Sequence, residues 1–406
     1  MRRNNRVKYL LVGVALGAAF GCVRSCTTRE EGGAAKGRSK QTMAEKKPKG
    51  YLVYVGTYTK KGSEGIYIYR FDTATGALES VGTATGLKNP SFLAIHPSRR
   101  YLYAVNELGT VDGKSAGGVT AFSIDPKTGA LTMLNQQPAH GASTCHISVD
   151  ATGKYALVAN YSTGSAAMLP IQEDGRLGEA SCVVQHEGSS KCPRRQKGPH
   201  AHSINIDPGN RYAFVADLGL DKVMIYGLDL AAGKLTPNDP PYAEIHPGAG
   251  PRHFTFHPNK RWAYAINELD NTMTVFEYDE KTGALKTIQT ETTLPADFKD
   301  TSYCADVHVL PSGKFVYGSN RGHNSIVIFA IDPNTGKLTL VGHEPTQGDH
   351  PRNFAIDPTE TFLLVANQNN DNIVPFRIDP DKGTLTPTGH ITTVSMPVCI
   401  KFMPVF

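Results

Sequence analysis

Short apolar runs, separated by Gly, Asp, Asn and Pro, fill the chain from Tyr51 onward. Runs of this length and bounding read as β-strands, and no helical period of useful length interrupts them. One arrangement recurs. A first strand ends at a residue pair: His96-Pro97, Asp150-Ala151, Asp207-Pro208, His257-Pro258, Leu310-Pro311 or Asp357-Pro358, at spacings of 54, 57, 50, 53 and 47. A short polar turn leads into a second strand such as Tyr101-Leu102-Tyr103-Ala104-Val105, and a third follows, as in Thr272-Met273-Thr274-Val275-Phe276. A Gly-x-Leu turn then opens a fourth, its leucine recurring at Leu78, Leu131, Leu177, Leu235, Leu285, Leu338 and Leu385. Four strands at a period near 50 predict a propeller blade, and seven leucines predict seven blades. The fold class is therefore all-β, a seven-bladed propeller of four-stranded antiparallel blades spanning residues 51–406.

The first unit lacks its opening strand, because Tyr51-Leu52-Val53-Tyr54-Val55 matches the second strand of the others. The chain ends on Met396-Pro397-Val398-Cys399-Ile400-Lys401-Phe402, which has the form of a first strand, with Pro397 standing where Pro90, Pro251 and Pro351 stand elsewhere. The C-terminal strand is expected to complete the first blade and close the ring, leaving no sheet edge open.

The register defines three rows. Just before the end of each second strand stand Asn106, Asn160, Asp217, Asn267, Asn320 and Asn367, a row expected to be structural because such side chains hydrogen-bond local backbone. One residue later come Glu107, Tyr161, Leu218, Glu268, Arg321 and Gln368, and five before each pair come Ser91, Cys145, His202, Arg252, Ala305 and Arg352. The last two rows vary in chemistry while keeping position, as expected of a site placed on a constant scaffold. In an antiparallel blade both lie at one end of the ring. His202, Arg252, Glu268 and Arg321 are thus placed to converge at one mouth of the channel, with Arg352 and Glu107 around the rim and His200 on the same strand face as His202. His323 is a further candidate for substrate contact. Arginines fit phosphate or carboxylate, and histidine titrates near neutrality. The competing reading is an ion-pair network that seals the channel.

Charge changes the picture in one respect. Residues 1–50 hold 12 Lys/Arg against 3 Asp/Glu, whereas residues 51–406 hold 30 against 34, so the net +5 belongs to the tail. The body offers no positive field for a nucleic-acid backbone. Glycine (40) and proline (26) stay short of a disordered or collagen-like composition. Arg2, Arg3, Arg6 and Lys8 precede an uncharged run from Tyr9 to Val23, the form of a secretory signal and short for a spanning helix. Residues 1–23 are accordingly read as a signal peptide or lipoprotein anchor, with Cys22 in Ala19-Phe20-Gly21-Cys22 the lipidation candidate, and residues 24–50 as a flexible basic linker. That places the protein in the periplasm or on a membrane facing it, attached through the N-terminus only. Translation from Met43 would instead give a cytoplasmic protein. Cys182 and Cys192 could bridge in an exported protein, and no Cys-x-x-Cys pair or other metal spacing occurs. No metal or cofactor is expected, and a monomer is. Phosphate-loop and Gly-x-Ser-x-Gly signatures are missing.

Several segments together resemble the lactonase family of seven-bladed propellers, which includes bacterial propeller-type 6-phosphogluconolactonases and the fungal carboxymuconate-lactonising enzyme. They are Tyr54-Val55-Gly56-Thr57-Tyr58-Thr59, Gly198-Pro199-His200-Ala201-His202, Gly250-Pro251-Arg252-His253-Phe254, Asn267-Glu268-Leu269, Ser319-Asn320-Arg321-Gly322-His323-Asn324-Ser325-Ile326, His350-Pro351-Arg352-Asn353-Phe354 and Val365-Ala366-Asn367-Gln368. The resemblance covers roughly residues 51–403. It implies hydrolysis of a sugar δ-lactone, first 6-phospho-D-glucono-1,5-lactone, with His202, Arg252, Glu268 and Arg321 catalytic and a small anionic lactone as partner. The alternatives are a lactonising or delactonising enzyme on a carboxylated, muconate-like substrate, and a non-enzymatic envelope propeller that binds protein or glycan. Which of His202 and Glu268 is the base stays open at this level. The insert Glu187 to Lys197, with Arg194 and Arg195, is expected to alter access to the mouth.

Overall fold

The computed structural model describes residues 48–406 apart from Asp112. The signal or anchor over 1–23 with Cys22, the linker up to residue 47 and the alternative start at Met43 lie outside the described residues. Within them there is no helix. Seven antiparallel sheets carry the fold, six of four strands and a seventh in which Leu385–Pro387 and Thr392–Thr393 share the outer position. The strands nearest the axis are Leu93–Ile95, Thr144–Val149, Ala201–Ile206, Pro251–Phe256, Tyr303–Val309, Pro351–Ile356 and Pro397–Val405. Each packs on the next around the circle, the last on the first. Blades 2 to 7 begin on the first six of these; blade 1 is completed by the seventh.

Ring closure follows the sequence reading. Pro397–Val405 pairs antiparallel with Gly50–Thr57, from Gly50 opposite Val405 to Thr57 opposite Pro397. The first and last segments thus share one sheet, and the open edge that either would present alone is removed.

The recurrence of Gly-x-Leu has a mechanical cause. Its glycine sits against the opening residue of the preceding blade's second strand, in a close approach that also carries hydrogen bonds. Tyr54, Tyr103, Tyr264 and Tyr317 donate their hydroxyls to the carbonyls of Gly129, Gly175, Gly336 and Gly383 at 2.8, 3.1, 3.1 and 3.0 Å. Of the leucines that follow, Leu177, Leu235, Leu338 and Leu385 are buried almost completely, and Leu78, Leu131 and Leu285 partly. At Gly336 φ is 72°, and a Cβ would lie 2.4 Å from the Trp262 ring. A Gly336→Ala protein is therefore expected to lose about 1–3 kcal/mol of stability, from left-handed strain and displacement of Trp262. A urea denaturation midpoint lowered at constant slope checks this.

A second recurring feature aims the site. The pairing of the innermost strand with its neighbour slips by one residue between Thr144 and His146, Ala201 and Ser203, Pro251 and His253, and Pro351 and Asn353. The extra residues are Cys145, His202, Arg252 and Arg352. In blade 6 the irregularity runs from Cys304 to Val307 and takes in Ala305 and Asp306. A bulge leaves one residue unpaired and re-aims its side chain. From Cys145 to Arg352 the row found by counting back from each turn pair is thus a row of bulges, whereas Ser91 precedes the strand Leu93–Ile95 and lies outside its ladder.

Candidate active site

The Asn/Asp row is structural, as expected. Asn160, Asn320 and Asn367 donate Nδ2–H to the carbonyls of Ala139, Thr293 and Thr346 at 3.1, 2.8 and 2.9 Å, tying the second strand's end to its surroundings. Asp217 instead accepts His186 Nδ1 at 2.6 Å and the His200 amide at 2.7 Å. These bonds fix the point from which the next residue leaves.

On that frame Glu268 becomes a hub. Arg252 Nε–H donates to its Oε2 at 3.0 Å, Arg321 Nη2 to the same oxygen at 2.8 Å, and Arg195 Nη2 to Oε1 at 2.6 Å. Arg252, only 2% exposed, also donates Nη1 to the Ala305 carbonyl at 2.6 Å, and Arg321 gives Nη2 to the Cys304 carbonyl at 2.7 Å. Arg321 Nε is buried without an acceptor. Burial alone would push the Glu268 carboxyl up, but Arg321, Arg252 and Arg195 together outweigh it and hold the group well below the usual carboxylate range. Burial, with the neighbouring Arg352 and Arg321, pulls the Arg252 guanidinium down to about 9.

A second group completes the mouth. Arg352 donates Nη2 to the Tyr58 hydroxyl at 2.9 Å, and Tyr58 in turn donates to Glu107, 2.9 Å from both carboxylate oxygens. Ser91 also donates to Glu107. Burial chiefly, and Glu107 as well, raise the Tyr58 phenol, so it stays protonated. Arg352 lies near enough to Arg252 and Arg321 to lower both guanidiniums, which brings the two groups into one neighbourhood. Across this hydrogen-bonded set four guanidiniums face two carboxylates.

His202 lies beside the hub. Its ring meets Tyr161 edge-on at 5.3 Å and His253 at 5.6 Å between centroids, and its Nδ1 is 3.8 Å from Cys145 Sγ. Tyr161 links it to the arginines by accepting from Arg195 Nη2 at 3.1 Å. Burial first, then Arg252, His253 and Arg352, lower His202 well below the ordinary histidine value, so the ring is neutral. His200 is stacked on Tyr161 at 4.6 Å with Nδ1 2.9 Å from the Tyr161 carbonyl, one step from the hub.

Of the residues singled out in the sequence, Arg252, Glu268 and Arg321 touch, His202 adjoins them through Tyr161, and Arg352 and Glu107 share the opening. His323 does not join them: it packs on Phe298 and His343 and bonds Ser325 Oγ at 2.6 Å. The strand ends at Arg321, and His323 lies in the turn that follows. Cys182 and Cys192 are free thiols, with Cys182 against the Leu235 backbone. Three contributors come from outside the rows. Arg195 belongs to the insert after blade 3, Tyr58 to the loop after Gly50–Thr57, and His350, pulled down to about 4 by burial, Arg321 and Arg352, precedes blade 7. Among the described residues no group of three or more His, Cys, Asp or Glu is disposed to hold a metal. A cavity of about 650 Å³ around Lys49, Arg70 and Lys127 lies away from this chemistry.

Comparison with known proteins gives a consistent result. The model of the family described as lactonase, 7-bladed beta-propeller, matches residues 52–402. A 6-phosphogluconolactonase of Bacillus subtilis is 40% identical over 353 residues, covering 87% of this chain and 98% of that protein. Another, from Formosa agariphila, is 38% identical, with 76% and 86% covered. The solved structure of the periplasmic gluconolactonase of Pseudomonas aeruginosa superposes with a TM-score of 0.83 at 37% identity, covering 88% of this chain and 99% of that one. A family match spanning the whole ring, with relatives matched over most of their own length, establishes that this chain belongs to the lactonase family of seven-bladed β-propellers.

Proposed function

We propose that the protein hydrolyses 6-phospho-D-glucono-1,5-lactone to 6-phosphogluconate at the mouth built on Glu268. The observation that carries this reading is the buried Arg252–Glu268–Arg321 cluster with its unused Arg321 Nε donor, and a neutral His202 joined to it through Tyr161 and Arg195. Relatives named 6-phosphogluconolactonase support the substrate. Four guanidiniums against two carboxylates leave two positive charges, which match the charge of a phosphate monoester. His202 takes a proton from water as its oxygen bonds to the lactone carbonyl carbon. Arg252 and Arg321 face the charge that develops on the carbonyl oxygen. The carbon–ring-oxygen bond then breaks, and His202 returns the proton to the leaving oxygen. Glu268 is assigned a positioning role, because three guanidiniums keep it ionised and it cannot supply a proton near neutrality.

The decisive assay measures lactone opening against the spontaneous rate, with the phosphorylated and unphosphorylated gluconolactones as paired substrates. Acceleration of neither would overturn the reading. Arg195 is the guanidinium that distinguishes the pair, since its side chain is 34% exposed where those of Arg252 and Arg321 are buried and assigned to the carbonyl oxygen. Arg195→Ala is expected to raise KM about tenfold for the phosphorylated lactone and to leave the unphosphorylated one nearly unchanged, the worth of one charge-assisted hydrogen bond.

Export with attachment at Cys22 is part of the same proposal. It rests on the basic N-terminus followed by the uncharged run Tyr9 to Val23, and on the relative described as periplasmic. Fractionation of the host tests it, and a soluble cytosolic product starting at Met43 would refute it.

A further inference from the structure

The channel has a second polar mouth that the lactonase chemistry leaves unused. At the far ends of the innermost strands lies a cavity of about 320 Å³ whose walls include His146, Asn205, His253, His308 and Lys401. None of Arg195, Arg252, Glu268, Arg321 and Arg352 lines it. At its centre Asp306 accepts His253 Nδ1 at 2.6 Å, His308 Nε2 at 3.0 Å, the Asn353 amide, and the backbone N–H groups of Val307 and Phe354. This carboxylate is saturated, and it fixes the tautomers around it. With Nδ1–H of His253 turned to Asp306, the second nitrogen of this neutral ring is an acceptor, and His308 has Nε2 committed to the same carboxylate. His146 Nδ1 accepts the Ile204 amide at 3.3 Å, so its Nε2 carries hydrogen and is a donor.

Two groups in this cavity are left over. Lys401 holds its ammonium 4.7 Å from the centre of the Phe92 ring, and no carboxylate among the described residues pairs with it. Ser148 Oγ is buried with no partner, which carries a desolvation cost unless a ligand meets it. Asn205 spends Nδ2 on Ser203 Oγ at 3.1 Å and keeps Oδ1. A polar plug serving only to hold the strands together would consume these groups. One uncompensated cation beside a ring of mixed donors and acceptors is the complement of a molecule with one anionic end and several hydroxyls. We propose that this mouth binds a small polyhydroxylated carboxylate of the sugar-acid class, its carboxylate on Lys401 and its hydroxyls on Ser148, Asn205 and the histidine nitrogens. The volume stands at the lower end of small-molecule pockets. The inference does not depend on the lactonase reading of the other mouth.

Calorimetric titration of the full chain tests it, with D-gluconate as probe, acetate for the carboxylate alone and sorbitol for the hydroxyls alone. An Arg321→Ala background keeps the other mouth from contributing. Gluconate is expected to bind at least about tenfold more tightly than either control, and Lys401→Met, which keeps the stem over Phe92 and removes the charge, to weaken it by about tenfold or more. Lys401→Met alone is expected to leave lactone kcat/KM unchanged. Gluconate no tighter than acetate or sorbitol, or binding indifferent to Lys401→Met, would overturn the proposal. A wild-type crystal soaked in gluconate answers the same question should Arg321→Ala fold poorly: gluconate within hydrogen-bond distance of Lys401 sustains it, and gluconate only at the Glu268 mouth sinks it.

Discussion

A Glu268→Ala protein is expected to lose about 3–5 kcal/mol of stability, the cost of stripping buried charges of their partner. Arg252 and Arg321 are both buried, and among the described residues their only carboxylate within salt-bridge distance is Glu268. Each would retain one carbonyl, Ala305 or Cys304, which offers a dipole in place of a charge. Two guanidiniums facing each other without a counter-charge repel, and water or anions must enter to solvate them. Urea unfolding of the variant and the wild type measures the difference. Glu268→Gln separates this structural role from chemistry. It keeps the volume and one oxygen acceptor, so it should recover part of the stability. Because the proton is assigned to His202, the acid limb of the pH profile in the Gln variant should not shift; a limb that disappeared would make Glu268 the base.

His202→Asn is expected to lower kcat by about 10²–10⁴ with a smaller effect on KM, the range typical of removing a positioned general base. The pH dependence gives the sharper test. Burial, then Arg252, His253 and Arg352, disfavour the protonated ring. The functional, neutral form therefore persists as pH falls through 6.5, and the acid limb of wild-type kcat/KM should lie well below the ordinary histidine range. Activity rises with pH through that limb and is flat around neutrality. The Asn variant should lack the limb. An inflection near 6.5 in the wild type would contradict the assignment. Stability carries the same signature. His253 and His350 are each pulled down to about 4, mainly by burial. Between pH 6.5 and about 4 the unfolded chain binds protons that the native state refuses, so stability is full above 6.5 and declines as pH falls through this window.

The fold was legible because its determinants are local. Each blade writes its own turn chemistry and its own Gly-x-Leu, and the missing first strand together with the surplus last one announced the closure that Pro397–Val405 makes with Gly50–Thr57. Half of the mouth was legible for the same reason: Arg252, Glu268 and Arg321 hold fixed distances from a repeated turn. Arg195 was not, because the insert that carries it has no counterpart in other blades and so no register to count by. Tyr58 was hidden in another way, its role depending on Arg352, 294 residues away. His323 stands apart because the strand ends at Arg321, two residues before it, so its side chain is placed by a turn and not by the ladder. The choice between His202 and Glu268 as base turns on burial and on three converging guanidiniums, which spacing does not report.

The bulged positions have a consequence for how such a ring acquires new chemistry. A residue that pairs with nothing across the ladder can be exchanged without disturbing the strands on either side, and six of the seven blades offer such a socket. This chain has filled its sockets with a histidine, two arginines, a cysteine and, in the closing strand, Val398, and has left Ala305 blank between Arg252 and Arg352. Rewriting Ala305 should retune what the mouth accepts while the seven sheets stand unchanged, so the family's diversification is expected to run through side chains that stand outside the strand ladders.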